Sequence, residues 1–333
     1  MKKLNGKTLR IAAIQMVSKV GANKENLVQA HRMLKTAIEH DVQMVIFPEL
    51  MPSGYTLAPK IWQGAEPSNG VTVNWLRKTA AQFGVYIGTS FIEAKAGQFY
   101  NTFVLVSPRG KELGRVCKAH AETYFFRGKK DTRHVIDTEI GKIGVGICGD
   151  NHYASLLPEL QREKVDLMLM PHAWPAPVKI TRTISREDIQ RQQNIAKEIA
   201  LVYQQNLGVP VVFVNRVGPA ALDKGPGLTA HFMNSANFHF AGLSTIIDSD
   251  GEVKAQLSDR EGAAIADVHL NPKLKTAPPP PAYGKWIFPG SITRDIIFGL
   301  DGTAGKIWYT LNPKRRKISR RVGAKELNTK NSS

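Results

Sequence analysis

The chain has few of the features that mark secreted, disulfide-bonded or membrane-spanning proteins. Only two cysteines, Cys117 and Cys148, occur among 333 residues, which is too few for a disulfide framework and is typical of the reducing cytoplasm. No apolar run approaches the roughly 18–20 residues of a membrane helix, and the polar start of the chain predicts no secretory signal. Because there is no further cysteine and no tight cluster of His, Asp or Glu, we expect no metal and no cofactor.

Acidic residues are also scarce, since 28 Asp and Glu stand against 45 Lys and Arg, a formal net charge of +17. Such an excess is typical of proteins that contact nucleic acid or another anionic partner. Much of it lies after Pro313, where eight basic residues accompany one acidic residue, Glu326; the basic residues are Lys314, Arg315, Arg316, Lys317, Arg320, Arg321, Lys325 and Lys330. We expect a solvated, flexible tail over residues 313–333, with contact to an anionic partner as the alternative.

Apolar residues make up 42% of the chain, enough for a sizeable core. Short β-branched runs over residues 10–16, 43–47 and 85–90 are typical of buried parallel strands. Segments with helical spacing, residues 23–40 and 73–83, separate these runs. This alternation of strand and helix predicts an α/β architecture.

The later part of the chain continues the same alternation. A hairpin is predicted over residues 101–117, a long helix over residues 185–205, and a late hairpin in which residues 243–247 and 265–268 flank the turn at 248–251. Further segments are predicted as strands (142–148, 167–171 and 210–215) and as a short helix (155–163). This pattern indicates one α/β domain over residues 1–275.

After residue 275 the composition changes. Four consecutive prolines, residues 278–281, exclude a helix or a central strand there. The residues that follow are too apolar for a free tail. We therefore expect residues 276–312 to form a Pro-rich segment and a C-terminal arm that packs on the body or on a second subunit.

Three reactive side chains stand at the ends of predicted strands, where parallel α/β sheets place their chemistry. Cys148 ends an apolar strand, and a turn there would expose its thiol. Glu49 ends another, and partial desolvation would raise its pKa toward that of a general base. Lys118 ends a third, and its charge suits a developing oxyanion. Taken singly, each residue has an ordinary structural alternative: a buried thiol, a capping carboxylate or a surface charge.

Several short motifs in a constant order resemble the nitrilase, or carbon–nitrogen hydrolase, superfamily. The resemblance extends from about residue 8 to residue 270, and the order of the motifs makes it far more specific than any one motif. The motifs are Arg10–Gln15, Phe47–Glu49 with Ser53–Tyr55, Tyr100–Thr102, Cys117–His120, Gly146–Asp150 with Pro158–Leu160, Ala200–Asn206, Val214–Asn215, and Phe240–Ser244 with the Asp-Gly turn after it.

The resemblance implies a four-layer α-β-β-α sandwich and a Glu–Lys–Cys triad. In this chain the triad falls on Glu49 as base, Cys148 as nucleophile and Lys118 as oxyanion stabiliser, together with the N–H of Gly149. Members of the superfamily often have a second glutamate after the lysine. Glu122 is the best match for it here, over a shorter spacing than in many relatives. The superfamily also implies a homodimer or a higher homo-oligomer.

Residues beside the implied triad are candidates for substrate binding: Tyr55, Gly149, Asn151, His172 and Trp174. For His172, a hydrogen-bonded structural histidine is the alternative. The chain departs from the superfamily at Gly149, where an aromatic residue is common. The next residue, Asp150, is typical of amidase-type members, whereas nitrilases tend to have Cys-Trp-Glu. The sequence therefore favours amide over nitrile substrates.

We expect a cytoplasmic enzyme that hydrolyses a non-peptide C–N bond in a small amide or N-carbamoyl compound through a thioester and releases ammonia. Its partners would be the small substrate and further copies of the chain, without a membrane and without nucleic acid. Three alternatives stay open. The chain could be a nitrilase, it could transfer the acyl group to an amine instead of water, or it could be a non-catalytic protein that binds through its basic tail.

Overall fold

A computed structural model describes residues 7–182, 184–220, 225–233, 236–289 and 292–324. The strands are β1 Lys7–Gln15, β2 Met44–Ile46, β3 Tyr86–Lys95, β4 Gln98–Val106, β5 Glu112–Cys117, β6 Val135–Thr138, β7 Gly141–Val145, β8 Leu167–Pro171, β9 Pro175–Pro177, β10 Val211–Val214, β11 Val217–Pro219, β12 Phe238–Ala241, β13 Thr245–Ile247, β14 Val253–Gln256 and β15 Gly262–Leu270. The α-helices are α1 Asn23–Ile38, α2 Val71–Phe83, α3 Leu156–Glu163, α4 Arg186–Leu207, α5 Leu228–Phe232, α6 Ile292–Leu311 and α7 Pro313–Gly323.

Two six-stranded sheets form the body. The first has the order β15-β1-β2-β3-β4-β5 and the second the order β14-β13-β10-β8-β7-β6. Both are parallel at the centre, β1-β2-β3 in one and β7-β8-β10 in the other, and antiparallel toward the edges. Because parallel strands share one direction, their carboxyl ends meet at one edge of each sheet.

Apolar side chains alternate between the two faces of the first sheet. Met44 and Ile46 of β2 point into a core that they share with β7, β8 and β10 of the second sheet. Val45 and Phe47 point to the other face, where α1 and α2 cover them. On the outer face of the second sheet, α3 and α4 bury a third core. The layers are therefore helix, sheet, sheet, helix, which confirms the predicted four-layer sandwich.

The late hairpin differs from the prediction in its second strand. β13 pairs with β14, whose residues 253–256 follow the turn directly. β15, which we expected as the partner, instead pairs with β1 at the edge of the other sheet, from Lys7 opposite Leu270 to Gln15 opposite Gly262. Both segments follow the turn and neither has a clear alternation of buried and exposed residues, so local pattern cannot decide between them.

The basic segment after Pro313 also differs from the prediction. Residues 313–323 form α7, a helix that packs on the protein rather than a flexible tail. Arg315, 3% exposed, donates to the carbonyl of Gly97, and Ser319 donates to the same carbonyl. One face of the helix thus finds buried acceptors, while the other lysines and arginines stay exposed. Residues 325–333 lie outside the described residues.

Among the described residues, no helix has the length and apolar content needed to cross a membrane. The longest apolar candidate, α6, instead packs against the body. Its Trp308 stacks on Trp62, and the hydroxyl of Tyr309 accepts a hydrogen bond from the backbone of Phe99.

Candidate active site

Three strand ends bring the candidate residues together. Glu49 follows β2 of the first sheet, Lys118 follows β5 of the same sheet, and Cys148 follows β7 of the second. The two sheets pack face to face, so these ends meet where the sheets meet. A hydrogen bond links Lys118 to Glu122, and the charge of Glu122 acts on both Glu49 and Cys148.

Cys148 lies at a sharp turn three residues after the end of β7 at Val145. Its φ is +44°, a left-handed conformation that a non-glycine residue adopts at a cost of about 1–3 kcal/mol. The turn continues into a 3-10 helix over Cys148–His152. Burial raises the pKa of the thiol well above its ordinary value, and the charge of Glu49 raises it further. Lys118 and a hydrogen bond from the backbone of Ala173 act in the opposite direction.

Glu49 is fully buried, and its two carboxylate oxygens differ in their hydrogen bonds. Oε1 accepts hydrogen bonds from Nζ of Lys118 and Nδ2 of Asn101, both at 2.7 Å. Oε2 has no partner among the described residues. Burial raises the pKa of the carboxyl, while Lys118 and the thiol of Cys148 lower it, with a net rise. The free oxygen of a carboxylate with raised proton affinity is suited to accept a proton.

Lys118 is a buried cation held between two carboxylates. Its Nζ donates to Glu49 at 2.7 Å and to Oε1 of Glu122 at 2.6 Å. Burial would lower the pKa of the lysine, but Glu122, Glu49 and Cys148 outweigh this and raise it well above its ordinary value. The hydroxyl of Tyr55 donates to the same oxygen of Glu122 at 2.9 Å. The site therefore contains a permanent positive charge whose position is set by two anions.

The backbone around Glu49 is held by a buried arginine. Arg216 donates from Nη1 to the carbonyls of Glu49 and Leu50, each at 3.2 Å, and from Nη2 to the carbonyl of Ser18. Burial lowers the pKa of Arg216 to about 10, so it is still a cation at neutral pH. Leu50 has a φ of +47°, so the chain turns sharply after the carboxylate. The arginine stabilises that turn and fixes the direction of the Glu49 side chain.

The candidate binding residues fall into two groups. Tyr55 and Gly149 lie at the charged cluster formed by Glu49, Lys118 and Glu122. A Cβ added at Gly149 would lie 3.7 Å from Cε of Lys118. Asn151 and His172 are fully buried and are bonded to the protein. Asn151 donates to the carbonyl of Gly146 at 2.7 Å, and Nδ1 of His172 lies 2.9 Å from the carbonyl of Met170.

His172 acts on the site through its backbone. Its carbonyl accepts a hydrogen bond from the N–H of Glu49 at 3.3 Å, and burial lowers the pKa of its ring well below the ordinary value. The ring is therefore neutral. Trp174 is half-buried, and its ring stacks on that of His152 with the centroids 4.4 Å apart. It directly follows Ala173, whose backbone bonds to the thiol of Cys148. Asn151 and His172 thus have structural partners, whereas Trp174 is partly open to solvent.

Sequence reasoning assigned no role to Asn101, Ala173 or Arg216. Asn101 belongs to a motif noted above, but only the fold shows that its amide reaches Glu49. Arg216 follows β10 in the same way that Glu49 follows β2, so a charged residue directly after an apolar strand was the available signal. Ala173 acts through its backbone and carries no signal in its side chain.

Comparison with known proteins identifies the family of the chain. A family model described as carbon-nitrogen hydrolase matches residues 10–272. An omega-amidase NIT2-B of Xenopus laevis is 28% identical over 276 residues, which cover 78% of this chain and 88% of that protein. An N-carbamoylputrescine amidase of Solanum lycopersicum is 24% identical over 265 residues, covering 75% and 83% respectively.

The fold is similar to that of a solved relative. The crystal structure of a carbon-nitrogen hydrolase from Helicobacter pylori G27 matches with a TM-score of 0.68 at 22% identity, covering 79% of this chain and 90% of that one. The family match spans most of the chain and includes every residue of the charged cluster. The chain therefore belongs to the carbon-nitrogen hydrolase family, in the amidase-like branch of the nitrilase superfamily, and is an amidohydrolase that acts on C–N bonds other than peptide bonds.

Proposed function

We propose that this amidohydrolase cleaves a small amide or N-carbamoyl compound with Cys148 as nucleophile, through a thioester, and releases ammonia. One observation carries the proposal. The buried Glu49 carboxylate keeps one oxygen without a partner among the described residues, and the thiol of Cys148 interacts with that carboxylate. Both curated relatives described above are named amidases, which supports an amide-type substrate.

The first half of the reaction forms the thioester. Glu49 takes the proton of the thiol, and the sulfur of Cys148 attacks the carbonyl carbon of the substrate. The carbonyl oxygen becomes an oxyanion beside Nζ of Lys118 and the N–H of Gly149. When this intermediate collapses, the C–N bond breaks, and the leaving nitrogen takes the proton from Glu49.

The second half hydrolyses the thioester. Water gives a proton to Glu49 while its oxygen bonds to the acyl carbon, and the C–S bond then breaks. The carboxylic or carbamic acid leaves, and the proton returns to the sulfur. Glu122, which accepts hydrogen bonds from Lys118 and Tyr55, keeps the lysine directed at the oxyanion position. Every step uses groups of this chain and water alone.

Ammonia release tests the proposal directly. The wild-type protein is incubated with simple amides, N-carbamoyl amines, N-carbamoyl amino acids and nitriles, and the ammonia formed is measured. Cys148→Ala removes the proposed nucleophile, and Cys117→Ala is the matched control because it removes the other free thiol. We expect turnover of at least one amide or carbamoyl compound, loss of it in Cys148→Ala, and little change in Cys117→Ala. Turnover that survives in Cys148→Ala would contradict a cysteine mechanism.

A further inference from the structure

A row of alternating charges lies behind the nucleophile. It consists of Glu159 on α3, His134 just before β6, and Asp150, the second residue after Cys148. Nδ1 of His134 lies 2.9 Å from Oε2 of Glu159, and Nε2 lies 3.8 Å from Oδ2 of Asp150. His134 is 6% exposed and Asp150 is 1% exposed, so both ends of the second contact are shielded from water.

Asp150 joins the two segments that carry Lys118 and Cys148. Its Oδ2 accepts a hydrogen bond from the N–H of Ala119 at 3.2 Å, and its Oδ1 accepts one from the N–H of His120 at 2.7 Å. Ala119 and His120 directly follow the lysine, while Asp150 belongs to the turn of the nucleophile. The carboxylate is therefore a direct connection between the end of β5 and the end of β7.

This connection depends on Asp150 being an anion, because only a carboxylate accepts on both oxygens. Burial opposes its charge, but the ring of His120, which contacts Oδ1 at 3.2 Å, the charge of His134 and that of Lys118 outweigh it and lower the pKa of Asp150. Burial also opposes a charge on His134, but Asp150 and Glu159 raise its pKa to about 9. Arg162 is a further cation acting on Glu159. At neutral pH the row is therefore anion, cation, anion.

We propose that His134 is a positioning residue whose imidazolium, between Glu159 and Asp150, balances the buried negative charge of Asp150 and thereby fixes the position of Lys118 relative to Cys148. The inference rests on the proposed function, since it assumes that Lys118 and Cys148 act on the same substrate atom. The charge that sets this geometry lies behind the turn, on a residue that makes no contact with the substrate.

The dependence on charge has a defined direction. His134 is protonated below about pH 9. Above that pH Asp150 stays ionised but loses the cation that balances its buried charge, which weakens the connection between Lys118 and Cys148. We therefore expect kcat to decline on the alkaline side with an apparent pKa near that value. KM should change little, because the acyl-enzyme steps, and not substrate binding, need Lys118 and Cys148 in fixed relative positions. A merely structural His134 would affect stability without giving kcat such a limb.

The experiment compares full-length variants by kcat, KM and their pH profiles. In His134→Gln we expect kcat at neutral pH to fall tenfold or more, with the alkaline limb gone. In Glu159→Gln, which removes one of the two anions, we expect the limb to move to lower pH. His269→Gln is the matched control, since His269 forms a similar pair with Asp248 at 2.6 Å on the far edge of the fold. A limb that stays in His134→Gln, or that does not move in Glu159→Gln, overturns the proposal.

A second measurement keeps the test separate from the proposed function. His134 is titrated by NMR in Cys148→Ala protein with labelled histidine, and the signal is assigned by its absence in the His134→Gln protein. We expect a pKa near 9 that falls in Asp150→Asn. If His134 titrates near an ordinary histidine value of about 6.5, it is not charged between Glu159 and Asp150 at the pH of the assay, and the proposal fails whatever the activity shows. Turnover that survives Cys148→Ala instead contradicts the proposed mechanism and leaves the titration unaffected.

Discussion

Nζ of Lys118 lies 2.7 Å from Oε1 of Glu49, and both side chains are fully buried. The pair uses one oxygen of the carboxylate and leaves Oε2 without a partner among the described residues. Because the lysine also contacts Glu122, it cannot rotate toward the free oxygen without losing a second ion pair. One contact thus orients the base and at the same time keeps its reactive oxygen available.

Replacement of Glu49 by glutamine separates base catalysis from thiol acidity. We expect kcat/KM to fall on the order of 10²–10⁴-fold, the usual contribution of a general acid or base. The pH at which Cys148 becomes reactive to iodoacetamide should fall, because the charge of Glu49 is one of the factors that raise the pKa of the thiol. Glu93→Gln is the control, since Glu93 is also buried but pairs with Arg115. A Glu49→Gln enzyme with near-normal turnover would contradict the assignment.

The acidic limb of activity should report Glu49. Burial raises the pKa of this carboxyl above the ordinary glutamate value of 4.5. Catalysis needs the ionised form, so kcat/KM should rise with pH through an apparent pKa above 4.5. A pH profile of kcat/KM on the best substrate measures it. A limb centred at or below the ordinary value would show that Glu49 is not the group that must ionise.

Loss of the buried cation should destabilise the fold. In Lys118→Met, two carboxylates face each other in a buried site, and we expect a loss of roughly 3–5 kcal/mol in the free energy of unfolding at neutral pH. The loss should shrink as pH falls, since protonation of Glu49 removes one of the uncompensated charges. Urea unfolding at several pH values measures both effects. In the control Lys142→Met, which breaks a partly exposed pair with Glu163, we expect a loss of about 0–1 kcal/mol.

Arg216→Lys tests how far the backbone of Glu49 must be fixed. Lysine keeps a charge but cannot reach the carbonyls of Ser18, Glu49 and Leu50 together. We expect kcat to fall on the order of 10²-fold, because a displacement of about 1 Å in a catalytic group has that effect, while the pH profile keeps its shape. An unchanged kcat in folded Arg216→Lys protein would show that the other contacts of Glu49 suffice.

The packed face of α7 should contribute to stability. In Arg315→Ala, the carbonyls of Tyr309 and Gly97 each lose a donor, and we expect a loss of about 1–3 kcal/mol. Lys317→Ala on the exposed face is the control and should change stability little. Thermal unfolding of the two variants measures the difference. Equal unfolding temperatures would contradict a structural role for this helix.

Local pattern predicted most of the fold because burial imposes periodicity. The strand over residues 167–171 and the helix α3 agree with the predicted ranges to within one residue, since each is a short apolar run with clear boundaries. The partner of β13 and the packing of α7 were predicted wrongly. In both cases the structure depends on residues far away in the sequence. β15 pairs with the edge of β1 and is therefore not the partner of β13, and α7 packs on the body because Arg315 reaches the carbonyl of Gly97.

The candidate site shows the same division. Glu49, Lys118 and Cys148 could be found because each ends an apolar strand and because ordered motifs surround them. Arg216 followed the same rule at β10 and was missed, since a single arginine after a strand has many ordinary explanations. Asn151 and His172 were singled out for their positions, and the structure gives both of them buried partners within the protein.

The sequence by itself determined the layers, the strand ends and the reactive side chains, because apolar periodicity and short motifs are local properties of the chain. Only the tertiary structure decided which oxygen of Glu49 is free, which arginine holds its backbone, and how Asp150 ties Lys118 to Cys148. These are relations between residues 30 to 167 positions apart, and hydrogen bonds at such separations depend on how the two sheets pack face to face. That packing is set by the volumes and shapes of many side chains together and leaves no signal at any single position.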